Sequence, residues 1–177
     1  RLAPNVAALP GAPIDATTNI AAAVLSCRAP VMASHLSSGH LWGAPVELSR
    51  TDRVKTLRDR LVNQLLLNAF EMAPERRDEY LVAIRDWNPK AIYGYASSLA
   101  LLAAHAESRG TRLKWPALRV MCATGEPLFP HQRELIERVF GAPVSVEYGA
   151  RDAGLMALQS PDGTLLQMSE THLIEVL

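Results

Sequence analysis

Between Leu118 and Val146 the chain reads LRVMCATGEPLFPHQRELIERVFGAPVSV, and this stretch decides the fold. Leu118 to Ala123 is apolar and short enough for a buried strand. Pro130 suits the first turn of a helix. Leu135, Ile136 and Val139 follow at helical spacing, and Gly141 stands where a helix stops. Pro143-Val144-Ser145-Val146 is a second strand-like run. Strand, helix and strand in so short a span predict a βαβ unit with parallel strands.

Upstream the pattern repeats. Ala91-Ile92-Tyr93 reads as a strand. Ser97 or Ser98 would cap a helix with Leu99, Leu102, Ala103 and Ala106 on one face, closed by Gly110. The order β-α-β-α-β predicts an α/β fold, a largely parallel sheet with flanking helices, over 89–177. Downstream, 155–158, 165–168 and 172–176 read as shorter strands, with a turn at Pro161-Asp162-Gly163. Residues 49–88 read as helical. Ser49-Arg50-Thr51-Asp52 resembles a capping box, and Val54, Leu57, Leu61 and Leu65 recur at helical spacing. After Pro74 a further helix places Tyr80, Ile84 and Trp87 on one face and stops before Pro89. Ser37-Ser38-Gly39 to Trp42-Gly43-Ala44-Pro45 reads as a loop. Residues 1–40 read as an irregular or partly helical lead segment, with Thr17 or Thr18 capping a short helix to about Cys27.

Composition narrows the function. The chain has 177 residues, enough for one domain with a sizeable core, and 49% of them are hydrophobic and 20% charged, as in a globular protein. Formal net charge is +0, which argues against a nucleic-acid or anionic-membrane surface. No apolar run approaches the roughly 20 residues that span a bilayer. Ile20-Ala21-Ala22-Ala23-Val24-Leu25 is too short and lacks the basic leader of a signal peptide. Cys27 and Cys122 lack metal-like spacing and read as free thiols of a cytoplasmic protein. His35, His40, His105, His131 and His172 form no zinc-like pattern, and there is no Gly-x-Ser-x-Gly elbow.

Ligands of such sheets lie at the carboxyl ends of the strands. Those ends are Gly94-Tyr95, Thr124-Gly125-Glu126-Pro127 and Glu147-Tyr148-Gly149. Each carries a glycine that lets backbone approach a ligand, and the last adds a ring, with Arg151 and Asp152 just beyond. A ring to stack on a base and charges for phosphate and metal make a plausible nucleotide site. Any one of these ends taken alone reads as an ordinary turn.

In combination they resemble a known family. Ile92-Tyr93-Gly94-Tyr95-Ala96-Ser97-Ser98-Leu99-Ala100, Thr124-Gly125-Glu126-Pro127-Leu128 and Tyr148-Gly149-Ala150-Arg151-Asp152-Ala153-Gly154 resemble adenylate-forming (AMP-binding) enzymes, in the branch of phenylacetate–CoA ligases and capsule-biosynthesis relatives. Leu41-Trp42-Gly43, Leu61-Val62-Asn63 and Glu170-Thr171-His172 are similar to the capsule-type relatives. The resemblance covers residues 41–177, as the middle portion of an adenylation domain.

The resemblance implies ATP, Mg2+ and coenzyme A as cofactors and a small carboxylic acid as substrate. By position it places Tyr148 on adenine, with Thr124, Gly125, Glu126, Pro127, Glu147 and Gly149 around the nucleotide. Tyr93, Tyr95 and Ala96 fall at the acyl pocket. Arg151 falls where a guanidinium would pair with phosphate, and Asp152 where the superfamily usually has a magnesium-binding glutamate. Aspartate is one methylene shorter, a departure that bears on metal geometry. Each position also has an ordinary reading: a core tyrosine at Tyr148, sheet packing at Tyr93, a turn at Gly149, a surface carboxylate at Asp152. Arg151 would equally serve a salt bridge to Asp152 or Glu126, and Glu126 a cap on the helix that follows it.

The family's Ser/Thr/Gly-rich phosphate loop is expected before residue 41. Ser37-Ser38-Gly39-His40 lacks its further glycines and lysine. The ribose-binding aspartate and the C-terminal lysine domain are expected beyond residue 177. The expectation is part of a carboxylate-activating ligase, inactive as an isolated chain. The alternatives are a degenerate domain that binds a nucleotide or partner without catalysis, and an unrelated α/β enzyme.

Overall fold

The computed structural model describes residues 37–43, 61, 63–110, 113, 115–150, 152–160, 162–167 and 173. The readings at Thr17, Cys27, Ser49–Asp52, Val54, Leu57, Arg151, Pro161, 168, 172 and 174–177 lie outside the described residues. At the centre is a strand buried at every position, Val120–Thr124. It belongs to a seven-stranded sheet ordered β2-β1-β3-β4-β5-β6-β7. The strands are β1 (Ser38–Trp42), β2 (Gln64–Asn68), β3 (Ala91–Tyr95), β4 (Val120–Thr124), β5 (Val144–Ala150), β6 (Gly154–Gln159) and β7 (Leu165–Gln167). Pairing is parallel from β2 through β5 and antiparallel for β5–β6 and β6–β7. The fold is therefore α/β with a largely parallel sheet.

Helices α1 (Pro74–Trp87), α2 (Ala96–Ser108) and α3 (Pro130–Phe140) form the crossovers. All three pack on one face. Tyr80 and Ile84 of α1, Leu99 and Leu102 of α2, and Ile136 and Phe140 of α3 share a core with Leu41, Leu67, Ile92, Met121 and Val144. Strand residues alternate between faces, so the other face gathers Ala91, Tyr93, Val120, Cys122 and Leu158, with Trp42 and Leu155 against them. Among the described residues no helix is long and apolar enough to cross a membrane.

The punctuation of the sequence sets the helix limits. Pro74 and Pro130 open α1 and α3, and Asn88 and Gly141 end them in left-handed conformations, φ 51 and 69. Several expectations need correcting. The segment read as a loop before Gly43 is strand β1. Leu65, read with a helical series, lies in β2. Parallel pairing of β1 between β2 and β3 satisfies its backbone on both sides, which outweighs the weak strand propensity of Ser38-Gly39-His40. Neither Ser97 nor Ser98 caps α2; its N-cap is Tyr95, with no side-chain cap of its own.

Polar ties hold the helices to one another. His105 Nε2 donates to Asp78 at 2.7 Å, and the Arg109 guanidinium pairs with the same carboxylate. Arg138 of α3 pairs with Glu107 of α2 at 2.9 Å. The hydrogen bond from His105 and, after it, the charge of Arg109 hold the Asp78 carboxyl below its ordinary value against the opposing effect of burial. A carboxyl depressed by folding stabilises the protein above its unfolded value, and that contribution disappears as pH falls through the folded one. Acid unfolding below about pH 4 is thus expected to include this loss. Asp78→Asn, followed by circular dichroism, should lower stability at neutral pH and flatten the acid limb. An unchanged acid limb would contradict the assignment.

Candidate functional site

The site begins with strand register. Ala91, Tyr93 and Tyr95 pair with Val120, Cys122 and Thr124 across β3 and β4, and Ala123 pairs with Val146 across β4 and β5. On the face opposite the helices, this sets Trp42, Tyr95, Thr124 and Glu147 side by side at the carboxyl ends. The rings form a chain. His40 lies 5.7 Å from Tyr93, Trp42 lies 5.8 Å from Tyr93, and Trp42 stacks on Tyr95 at 4.9 Å and 14°. Phe70 adds a tilted contact to Tyr95 at 6.3 Å.

Glu147 is the polar centre of this end of the sheet. It is 3% exposed. A carboxylate removed from water is tolerated only when hydrogen-bonded. Its Oε1 accepts from Tyr93 Oη–H at 2.7 Å and from Thr124 Oγ1–H at 3.3 Å. Three residues from β3, β4 and β5 thus meet on one oxygen. Tyr93 is buried in that arrangement, and Ala96 is buried at the start of α2.

The β4–α3 turn lies beside it. Gly125 has φ 76, and a Cβ there would stand 3.0 Å from the Tyr95 ring, so the position demands glycine for both conformation and space. Glu126 points back to α2 rather than onward to α3: its Oε1 accepts from the Ser97 N–H at 2.9 Å and the Ser97 hydroxyl at 2.6 Å. The helix that follows is closed instead by Gln132, whose side chain accepts from the Phe129 N–H at 3.0 Å. Pro127 and Phe129 are exposed.

Tyr148 and Gly149 do not follow the strand; they lie within β5, which continues past β4 because β6 pairs with it to Ala150. A register shift between Tyr148 and Gly149 marks a bulge, a device that re-aims side chains. Tyr148 is 54% exposed, so it is no core tyrosine. The close approach at Gly149 is internal: a Cβ there would stand 2.5 Å from the Gly154 carbonyl oxygen. Asp152 is exposed on the short β5–β6 connection. Among the described residues no three His, Cys, Asp or Glu side chains gather as a metal cage. Magnesium commonly takes only one or two carboxylates beside phosphates and waters, and Asp152 offers a single carboxylate, one methylene shorter than glutamate.

The structure thus gathers Tyr93, Tyr95, Thr124, Gly125, Glu126 and Glu147 at adjacent strand ends. Trp42, Phe70 and Ser97 belong to the same neighbourhood but were not singled out as site residues. Trp42 carried a usable signal in Leu41-Trp42-Gly43, whereas the Ser97–Glu126 contact had none. A separate cavity of about 320 Å³ opens at the other end of β5 between Arg133, Glu137, Ser145, Gln159 and Asp162. Its polar groups bond to one another: Arg133 to Gln159 at 2.6 Å, Glu137 to the Val144 N–H at 3.0 Å, Ser145 to the Gln159 carbonyl at 2.8 Å.

No family model matches the chain, and no curated protein matches it. Solved structures do. The chain is similar to 2-hydroxyisobutyryl-CoA ligase in an open conformation, in complex with 2-HIB-AMP and CoA, at 16% identity and a TM-score of 0.54, over 82% of this chain and 35% of that one. It is similar to the amide bond synthetase McbA from Marinactinospora thermotolerans at 21% identity and a TM-score of 0.51, over 84% and 28%. The luciferase-like enzyme of the nonluminescent mealworm Zophobas morio matches at 14% identity and a TM-score of 0.50, over 83% and 32%. The chain spans well under half the length of each. At these identities the likeness is one of fold: the α/β sheet described above is common to this chain and to part of each of these enzymes.

Proposed function

We propose that this chain is the middle portion of an ATP-dependent carboxylate-activating ligase. The observation that carries the reading is the hydrogen bond between Thr124 and Glu147 on neighbouring strands, which joins the residue before the Gly125 turn to the residue before the exposed Tyr148. A planar base would stack on Tyr148, with the Gly125–Pro127 backbone as the adjoining wall. The acid would lie toward Tyr95 and Ala96, with Tyr93 held inward by Glu147. Arg151 would pair with phosphate oxygens, and Asp152 would hold magnesium, which supplies charge neutralisation on the phosphates.

The reaction follows from the poor leaving group of a free carboxylate. A carboxylate oxygen attacks the α-phosphorus of ATP, the bond from that phosphorus to the bridging oxygen breaks, and pyrophosphate leaves. The resulting acyl-adenylate carries AMP as a good leaving group. A thiol, proposed to be that of coenzyme A, then attacks the acyl carbon and releases AMP. For the first step this portion of the protein supplies position and electrostatics rather than a nucleophile. The phenylacetate–CoA ligase and capsule-type branch is proposed on the motif resemblance, and a cytoplasmic setting on its use of ATP and coenzyme A.

The shorter side chain of Asp152 favours one second reading, a domain that binds nucleotide without catalysis. Exchange of labelled pyrophosphate into ATP by the full-length protein separates the two. The ligase reading expects exchange that depends on an added carboxylic acid. Nucleotide binding without exchange across a broad acid panel would favour the non-catalytic reading.

A further inference from the structure

We infer that Glu126 is a positioning residue: its carboxylate locks the β4–α3 turn onto the first turn of α2 and so fixes the backbone wall of the nucleotide site. This rests on the function proposed above. Helix α2 begins without a side-chain cap of its own. Its first N–H groups have no intrahelical acceptor. Glu126, 29 residues away in sequence, supplies one, taking both the N–H and the hydroxyl of Ser97 on a single oxygen. Such charge-assisted bonds are the stronger kind, and a negative charge at a helix N-terminus is favourable.

The turn is held from a second direction. Gly125 rests against the Tyr95 ring, and that ring stacks on Trp42. Strand β3 hands the chain to α2 at Tyr95, so Tyr95 and Ser97 lie within one helical turn and carry both contacts. The Gly125-Glu126 peptide is therefore tied to α2 through a ring and a carboxylate together. A wall fixed in this way before ligand arrives spares the binding step the cost of ordering it. Glu126 acts through Ser97, not through contact with nucleotide.

The test is AMP binding by calorimetry on the full-length protein, with amide hydrogen exchange over residues 96–99 and 125–128. E126A is expected to weaken AMP binding about tenfold and to raise exchange in both segments together. E126Q keeps an oxygen that accepts from both Ser97 donors and should recover most of that loss. S97A keeps the backbone donor and should lose about threefold, with no further loss when combined with E126A. The inference is overturned by an E126A protein that binds AMP like wild type. It is equally overturned by an E126Q protein as impaired as E126A, or by additive effects of S97A and E126A. A wild-type protein that binds no AMP sinks the nucleotide reading and this inference with it. Should E126A fail to fold, S97A and E126Q decide by the same measurements.

Discussion

Phe140→Ala is expected to destabilise the protein by about 3–5 kcal/mol. Phe140 is 1% exposed, at the end of α3, with its ring 5.3 Å from Trp115. It packs in the core that joins all three helices to the sheet. Truncation removes buried apolar area and leaves a cavity that the surrounding strands cannot collapse into, because the parallel ladder fixes their spacing. Against the roughly 5–15 kcal/mol that holds a typical domain together, this is a large fraction. Urea unfolding should show a lower midpoint with little change in slope. Phe129→Ala is the control: Phe129 is 53% exposed, so its loss should stay within about 0.5 kcal/mol. A Phe140→Ala protein as stable as wild type would mean that the helices do not share one core.

The half of the fold from β3 onward was legible because punctuation and periodicity agree there. Pro130 and Gly141 bracket a helix whose apolar residues point to one side, and Asn88-Pro89 stops the helix before β3. Strands β1 and β2 were not legible. Ser38-Gly39-His40 offers no β-branched side chain, and Leu65 continues the spacing of Leu61, which is helical, although Leu65 itself lies in β2. What makes these segments strands is long-range pairing with each other and with β3, which local sequence does not encode. The same limit applies at the site. Tyr93, Thr124 and Glu147 were each identifiable as strand-end residues, but their meeting on one oxygen depends on the register of three strands. Tyr148 was expected beyond its strand because the partner that prolongs β5, strand β6, approaches from the antiparallel side. For Glu126 the sequence offered a place at the nucleotide or a cap on the nearer helix, but not the tie to Ser97, which spans a whole crossover.

We propose that the Tyr148 ring and the Gly125 turn, carried by the adjacent strands β5 and β4, form one wall of a purine site. The ring stands 54% exposed at the bulge of β5, so removing it leaves little unfilled space inside the protein. Stability should therefore change far less than binding. Stacking of a base on an aromatic ring contributes about 1–3 kcal/mol. Titration of ATP into wild type and Tyr148→Ala, with thermal unfolding of both as the control for folding, measures this directly. The expected result is a Kd raised by about 5- to 150-fold in a variant that unfolds near the wild-type temperature. Equal ATP affinity in the two proteins, or a wild type that binds no ATP, would contradict the claim.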